Sequence, residues 1–143
     1  MSDTRAVRYE QEIPQVLAVL GSVHAELDKL GLPRALVHLV HLRASQLNGC
    51  AFCVRMHTRE AREGGETSER LDRLVVWRHS GDFSAAEKAA LAWTEALTRI
   101  DDERDYADLR QALREHFDET QISALTTQVA MINLWNRIQV SKH

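Results

Sequence analysis

Cys50 and Cys53 are the only cysteines of the chain, and His57 follows the second of them at i+4. On a helix, positions three and four apart share a face, so the C-x-x-C pair and the imidazole would line one stripe. The two sulfurs can meet within a first turn, close enough for a disulfide after a small adjustment. Asn48-Gly49 breaks the preceding pattern and sets Cys50 at a helix N-terminus. Unpaired N–H groups and the positive end of the helix dipole favour a thiolate there. His57, one turn beyond Cys53, can take that residue's proton as a general base. Spacing supports both activations and leaves open which sulfur attacks. The same residues also fit a zinc site, with Cys50, Cys53, His57 and either His38 or His41 as its four ligands. Against zinc, the Cys-to-His spacing is not that of a finger, and there is no second C-x-x-C. An inert pair of core cysteines is the remaining reading.

The elements that must position these side chains read as helices. Pro14 suits a first helical turn, and Val16, Leu20, Val23, Leu27 and Leu30 form one apolar stripe ending at Gly31. Pro33 opens a second helix whose apolar residues, Leu36 to Leu47, cover more than one face and predict burial on several sides. His38, His41 and Ser45 share another of its faces. Ser45 can hydrogen-bond near the thiols or back to its own helix. A third helix is expected from about Cys50 to Glu63, ending at Gly64-Gly65, with Arg55 pointing away from the pair and Glu60 and Glu63 on a solvated face.

Thr67 or Ser68 can cap a fourth helix with Leu71, Leu74 and Val75 inward. Ser84 and Glu87 have capping-box spacing before a fifth. The charged stretch 101–105 is a loop, and a sixth helix runs from Tyr106 to Phe117. Asp118 and Gln121 cap the last helix, with Phe117 and Ile122 placed as a hydrophobic staple. Trp77, Trp93 and Trp135 fit apolar stripes as packing residues. His24, His79, His116 and His143 have no chemical neighbours in sequence and are expected at the surface. The reading is all-α, about seven helices, with residues 1–12 as an N-terminal arm and 13–143 as one domain.

A chain of 143 residues is long enough to bury a real core, and its net charge is −3. That charge, with no basic run, argues against nucleic acid or an acidic membrane surface as partner. No window approaches the length of apolar chain a membrane span needs. The polar N-terminus lacks the apolar core of a secretion signal, so a cytoplasmic location is expected. There, close cysteines are more often redox-active or metal-binding than structural.

The run from Leu42 through Ser45, Gln46, Asn48, Gly49 and Cys50 to Cys53, followed by Met56-His57-Thr58, resembles the core motif of the alkylhydroperoxidase D-like (AhpD-like) family. That family lies within the carboxymuconolactone decarboxylase superfamily. The likeness continues through Trp77-Arg78, Phe83-Ser84, the stretch from Glu87 to Trp93, Glu95 to Thr98, and Asn133 to Arg137, about residues 15–140 in all. The resemblance implies an all-helical, homo-oligomeric protein, trimeric or hexameric. It implies a thiol peroxidase acting on organic hydroperoxides, in which Cys53 attacks the peroxide and Cys50 resolves the sulfenic acid. His57 belongs to the proton relay. A dithiol reductant or reductase would be the partner, and no cofactor or metal is expected. In the best-studied peroxidases a Glu stands twelve residues before the first Cys, where this chain has His38. A His precedes the second Cys, where this chain has Phe52. A histidine at 38 can still pass a proton. Two other readings remain: a redox-sensing or disulfide-exchange module with little peroxide turnover, and a decarboxylase-like, non-redox enzyme on the same fold.

Overall fold

The computed structural model describes residues 1–143, and every regular element is helical. A one-turn α1 (Tyr9–Glu12) precedes α2 (Pro14–Leu27) and a 3₁₀ turn at Asp28–Leu30. Then follow α3 (Arg34–Leu47), α4 (Ala51–Glu63), α5 (Ser68–Arg73) with a 3₁₀ extension over Leu74–His79, α6 (Ala85–Thr98), α7 (Ala107–Arg114) and α8 (Glu119–Val140). The stretch expected as a loose arm thus contains a helical turn. It is held to the opposite terminus by Tyr9 Oη against Ser141 Oγ, 2.8 Å apart, and by the Lys142–Glu10 ion pair.

Helix α3, which Pro33 precedes, is buried on several sides, as its apolar pattern implies. It is the central element, packed against α4, α6 and α8. Leu36 and Val40 on one side of α3 join Ala90, Trp93, Leu113, Phe117, Leu125 and Val129. Leu39 and Leu42 on the other side join Ala61, Leu71, Leu74, Trp77, Phe83 and Leu91. Helix α6 contributes Ala90 and Trp93 to the first cluster and Leu91 to the second, so α3 and α6 together divide the two.

The expected caps form. Ser84 with Glu87 and Asp118 with Gln121 are reciprocal capping boxes. Phe117 and Ile122 meet in one cluster across the second of these. Pro14 occupies the first turn of α2.

Two stripes differ from their sequence reading. Val75 faces outward at 53% exposure, not inward. The α5 helix tightens to 3₁₀ at Leu74, where three residues complete a turn, so Leu74 and Trp77 point in while Val75 and Val76 turn out. In α2, Leu20, Val23 and Leu27 pack against Ala124, Met131 and Trp135. Val16 and Leu30, at the two ends of the stripe, are exposed.

Candidate active site

The site begins with the tight turn between α3 and α4. Gly49 takes φ 64°, a left-handed conformation in which any Cβ would be strained. The Cys50 N–H then bonds the Ser45 carbonyl at 3.1 Å. Cys50 is the N-cap residue of α4, and its sulfur accepts the Cys53 N–H at 3.2 Å. The two cysteines are joined as a disulfide, with Cα atoms 5.2 Å apart.

Helix α8 ties this turn down. Asn48 Nδ2 donates to Asn133 Oδ1 at 3.0 Å and to Asn136 Oδ1 at 2.9 Å. Asn136 Nδ2 donates to Ser45 Oγ at 3.0 Å, and Ser45 Oγ in turn donates to the His41 carbonyl at 2.7 Å. Of the two readings of Ser45, the bond back to its own helix is the one that forms. The Asn133–Asn136 pair inside an apolar stripe was the available signal for this anchor, because a buried amide needs partners.

Both sulfurs are almost fully buried; Cys53, and not Cys50, lines a cavity of about 730 Å³. His38, His41, His57, Glu60 and Gln128 line it together with the apolar side chains Val37, Phe52, Met56, Ile132 and Trp135. The structure therefore brings His38, Cys53 and His57 to one wall system, with Cys50 behind Cys53. Arg55 is exposed and not part of it.

The imidazoles are not equivalent. His57 is buried, and its Nδ1 lies 3.0 Å from Glu60 Oε2. Burial pulls its pKa below the ordinary value near 6.5; Glu60 opposes that pull, while the neighbouring His38 and His24 add to it. His41 sits 5.1 Å from His57, ring centre to ring centre, with Nε2 2.8 Å from Gln128 Oε1. Burial, then the charge His57 can carry, pushes its pKa down to about 3, so it stays neutral. In His38 the buried Nδ1 has no hydrogen-bond partner, and it is the only such buried side-chain N or O atom in the chain.

Three expectations change here. His24 is not an idle surface residue: it borders the cavity, and its Nε2 accepts the Trp135 indole N–H at 2.8 Å. Trp135 serves as cavity wall as well as packing. Glu60 is not simply on a solvated face, because the i+3 spacing carries its carboxylate back onto His57. Its partner is the buried imidazole one turn earlier. No three His, Cys, Asp or Glu side chains converge in a way that could hold a metal ion. The two sulfurs considered for zinc are bonded to one another.

The sequence model of the carboxymuconolactone decarboxylase family matches residues 14–96, and the chain belongs to that family, in its AhpD-like branch. The uncharacterised protein YdfG of Bacillus subtilis (strain 168) is 36% identical over 138 residues, 96% of this chain and 94% of that one. The uncharacterised protein YnjA of Escherichia coli (strain K12) is 34% identical over 130 residues, 90% of this chain and 71% of that one. A crystal structure of a protein of unknown function from Agrobacterium tumefaciens, proposed to be the antioxidant defence protein AhpD, superposes with a TM-score of 0.90. It is 34% identical and covers 97% of this chain and 95% of its own.

Proposed function

We propose that the chain is a thiol-dependent peroxidase that reduces organic hydroperoxides through a Cys50–Cys53 dithiol–disulfide cycle. The observation that carries this reading is the asymmetry of the pair: Cys53 borders the cavity one turn from a buried imidazole, while Cys50 stands behind it at the helix cap. The family and the antioxidant proposal made for the Agrobacterium relative support it.

In the reduced protein, His57 takes the Cys53 proton, and the thiolate attacks the distal peroxide oxygen. The O–O bond breaks, and the leaving alkoxide takes a proton from His57 or His38. The Cys50 thiolate then attacks the Cys53 sulfenic sulfur. The S–O bond breaks, water leaves, and the disulfide forms. An external dithiol or reductase supplies two electrons by exchange. No cofactor beyond the two sulfurs takes part. The cavity volume falls within the range of small-molecule sites, and its Val37, Met56, Ile132 and Trp135 surface suits an organic rather than an inorganic peroxide. We place this cycle in the cytoplasm, in a homo-oligomer.

Hydroperoxide consumption with a dithiol reductant tests the reading. Cys53→Ser is expected to lower the rate by about 10³-fold or more, and undiminished turnover would overturn the assignment. Oxidation of Cys50–Cys53 by stoichiometric hydroperoxide without sustained turnover would point instead to a redox-sensing module.

A further inference from the structure

We infer that Glu60 is the positioning residue of this site: its carboxylate fixes His57 in the tautomer that carries its proton on Nδ1 and turns the free Nε2 lone pair to the Cys53 cavity. This rests on the dithiol reading above and identifies what makes His57 a base.

The argument starts from donor and acceptor types. An ionised carboxylate can only accept. A neutral His57 whose Nδ1 lies 3.0 Å from Glu60 Oε2 must therefore donate from Nδ1. Nε2 is then the lone-pair nitrogen. It makes no hydrogen bond within the chain, yet it is not among the buried unpartnered atoms, so it reaches the cavity that His57 lines. A nucleophile, a base and a group orienting the base are thus set at Cys53, His57 and Glu60, positions i, i+4 and i+7 of a single helix face.

No other group can do this work. Helix α3 presents His38 and His41 to His57, and α2 presents His24, all without a carboxylate. The facing residue of α8 is the neutral Gln128. At the rim, Asp28 is held by Arg34 at 2.7 Å. Glu63 also borders the cavity but makes no bond to His57. The pair also differs from an ordinary i,i+3 surface contact, because His57 is buried and only the Glu60 side chain reaches solvent, at 39% exposure.

Two measurements test the proposal. In the first, long-range ¹⁵N NMR on the oxidised protein reads the His57 tautomer without any turnover. The wild type is expected to show Nδ1–H. Glu60→Gln and Glu60→Ala are expected to move the population toward Nε2–H, while Glu63→Gln leaves it in place. In the second, the reduced protein reacts with cumene hydroperoxide and, separately, with iodoacetamide across pH. Both Glu60 variants are expected to react about 10- to 100-fold more slowly at Cys53, the range for losing an orienting partner of a functional histidine. The acid limb of the profile is expected to shift to lower pH, because Glu60 raises the affinity of His57 for its proton.

A wild-type Nε2–H tautomer, or Glu60 variants with unchanged tautomer and profile, would overturn the proposal. If the wild type alkylates with a Glu60-dependent profile but does not consume hydroperoxide, the peroxidase reading falls and the positioning role stands. If it consumes hydroperoxide and the Glu60 variants match it, the reverse holds.

Discussion

Two polar clusters meet helix α3, and they are built on opposite terms. Around Glu95 everything is paired. One carboxylate oxygen accepts from Arg43 Nε at 2.9 Å and Trp77 Nε1 at 3.1 Å, and the other accepts from Arg78 at 3.1 Å. These donors hold the Glu95 pKa below the ordinary carboxylate range despite its partial burial. Around Cys53 the pairing is incomplete: His38 Nδ1 has no partner, and His57 is held at one nitrogen only. A saturated cluster has no valence left for a ligand and serves to join α3, α6 and the 3₁₀ segment after α5. An unsaturated one carries the cost of unmet hydrogen bonds and is where chemistry is possible. Partial satisfaction of polar groups, more than charge or burial, separates site from scaffold in this molecule.

The contrast can be broken or sharpened, beginning with the largest effect. Asn136→Ala removes the amide that joins Ser45 to Asn48 beneath the cysteine turn. It leaves buried partners unmet, so a loss of about 2–4 kcal/mol in denaturant unfolding is expected, with slower disulfide formation as the turn loosens. Glu95→Gln strips the saturated cluster of its charge and leaves Arg43 partly buried without a counter-ion. Thermal unfolding should report a loss of about 1–2 kcal/mol, while the Cys53 alkylation rate stays within about twofold. A large rate change there would erase the distinction between scaffold and site.

The pH dependence follows from His41. Its pKa is near 6.5 in the unfolded chain and about 3 in the fold. Between those values the unfolded state binds the extra proton, so stability is lost as pH falls from about 6.5, by up to about 1.4 kcal/mol per pH unit. His57, whose pKa is also lowered, acts with the same sign. Carboxylates such as Glu95 enter only below their ordinary value of 4.5. Denaturant midpoints between pH 5 and 7 should therefore show the histidine slope, and His41→Gln should reduce it.

The smallest effect is at Gly64. A Cβ there would lie 3.2 Å from His38 Cδ2 and 3.3 Å from Nε2, so Gly64→Ala must shift the ring by a few tenths of an ångström. A cost under about 1 kcal/mol is expected. A two- to fivefold change in peroxide rate would tie His38 to the reaction, and an unchanged rate would return it to the cavity wall.

Local signals were legible in the sequence because their causes are local. The caps at Ser84 and Asp118, the Pro14 start, the Gly49 turn and the multi-sided burial of α3 all follow from residues within one or two turns. The C-x-x-C and its helical histidine were visible for the same reason. Val75 was misread because a switch from α to 3₁₀ geometry changes the angle between side chains without changing their order. The remainder depended on contacts between distant segments. His24 meets Trp135 across 111 positions, and His41 meets Gln128 across 87, pairings that no spacing rule contains. Glu60 lay within reach of His57 on the helix, but whether it faced solvent or the imidazole depended on α2, α3 and α8 closing around that ring. Sequence alone determined which atoms could do the chemistry. The tertiary structure decided which sulfur borders the cavity and which imidazole meets a carboxylate, because burial and pairing are properties of the packed helices and not of any one of them.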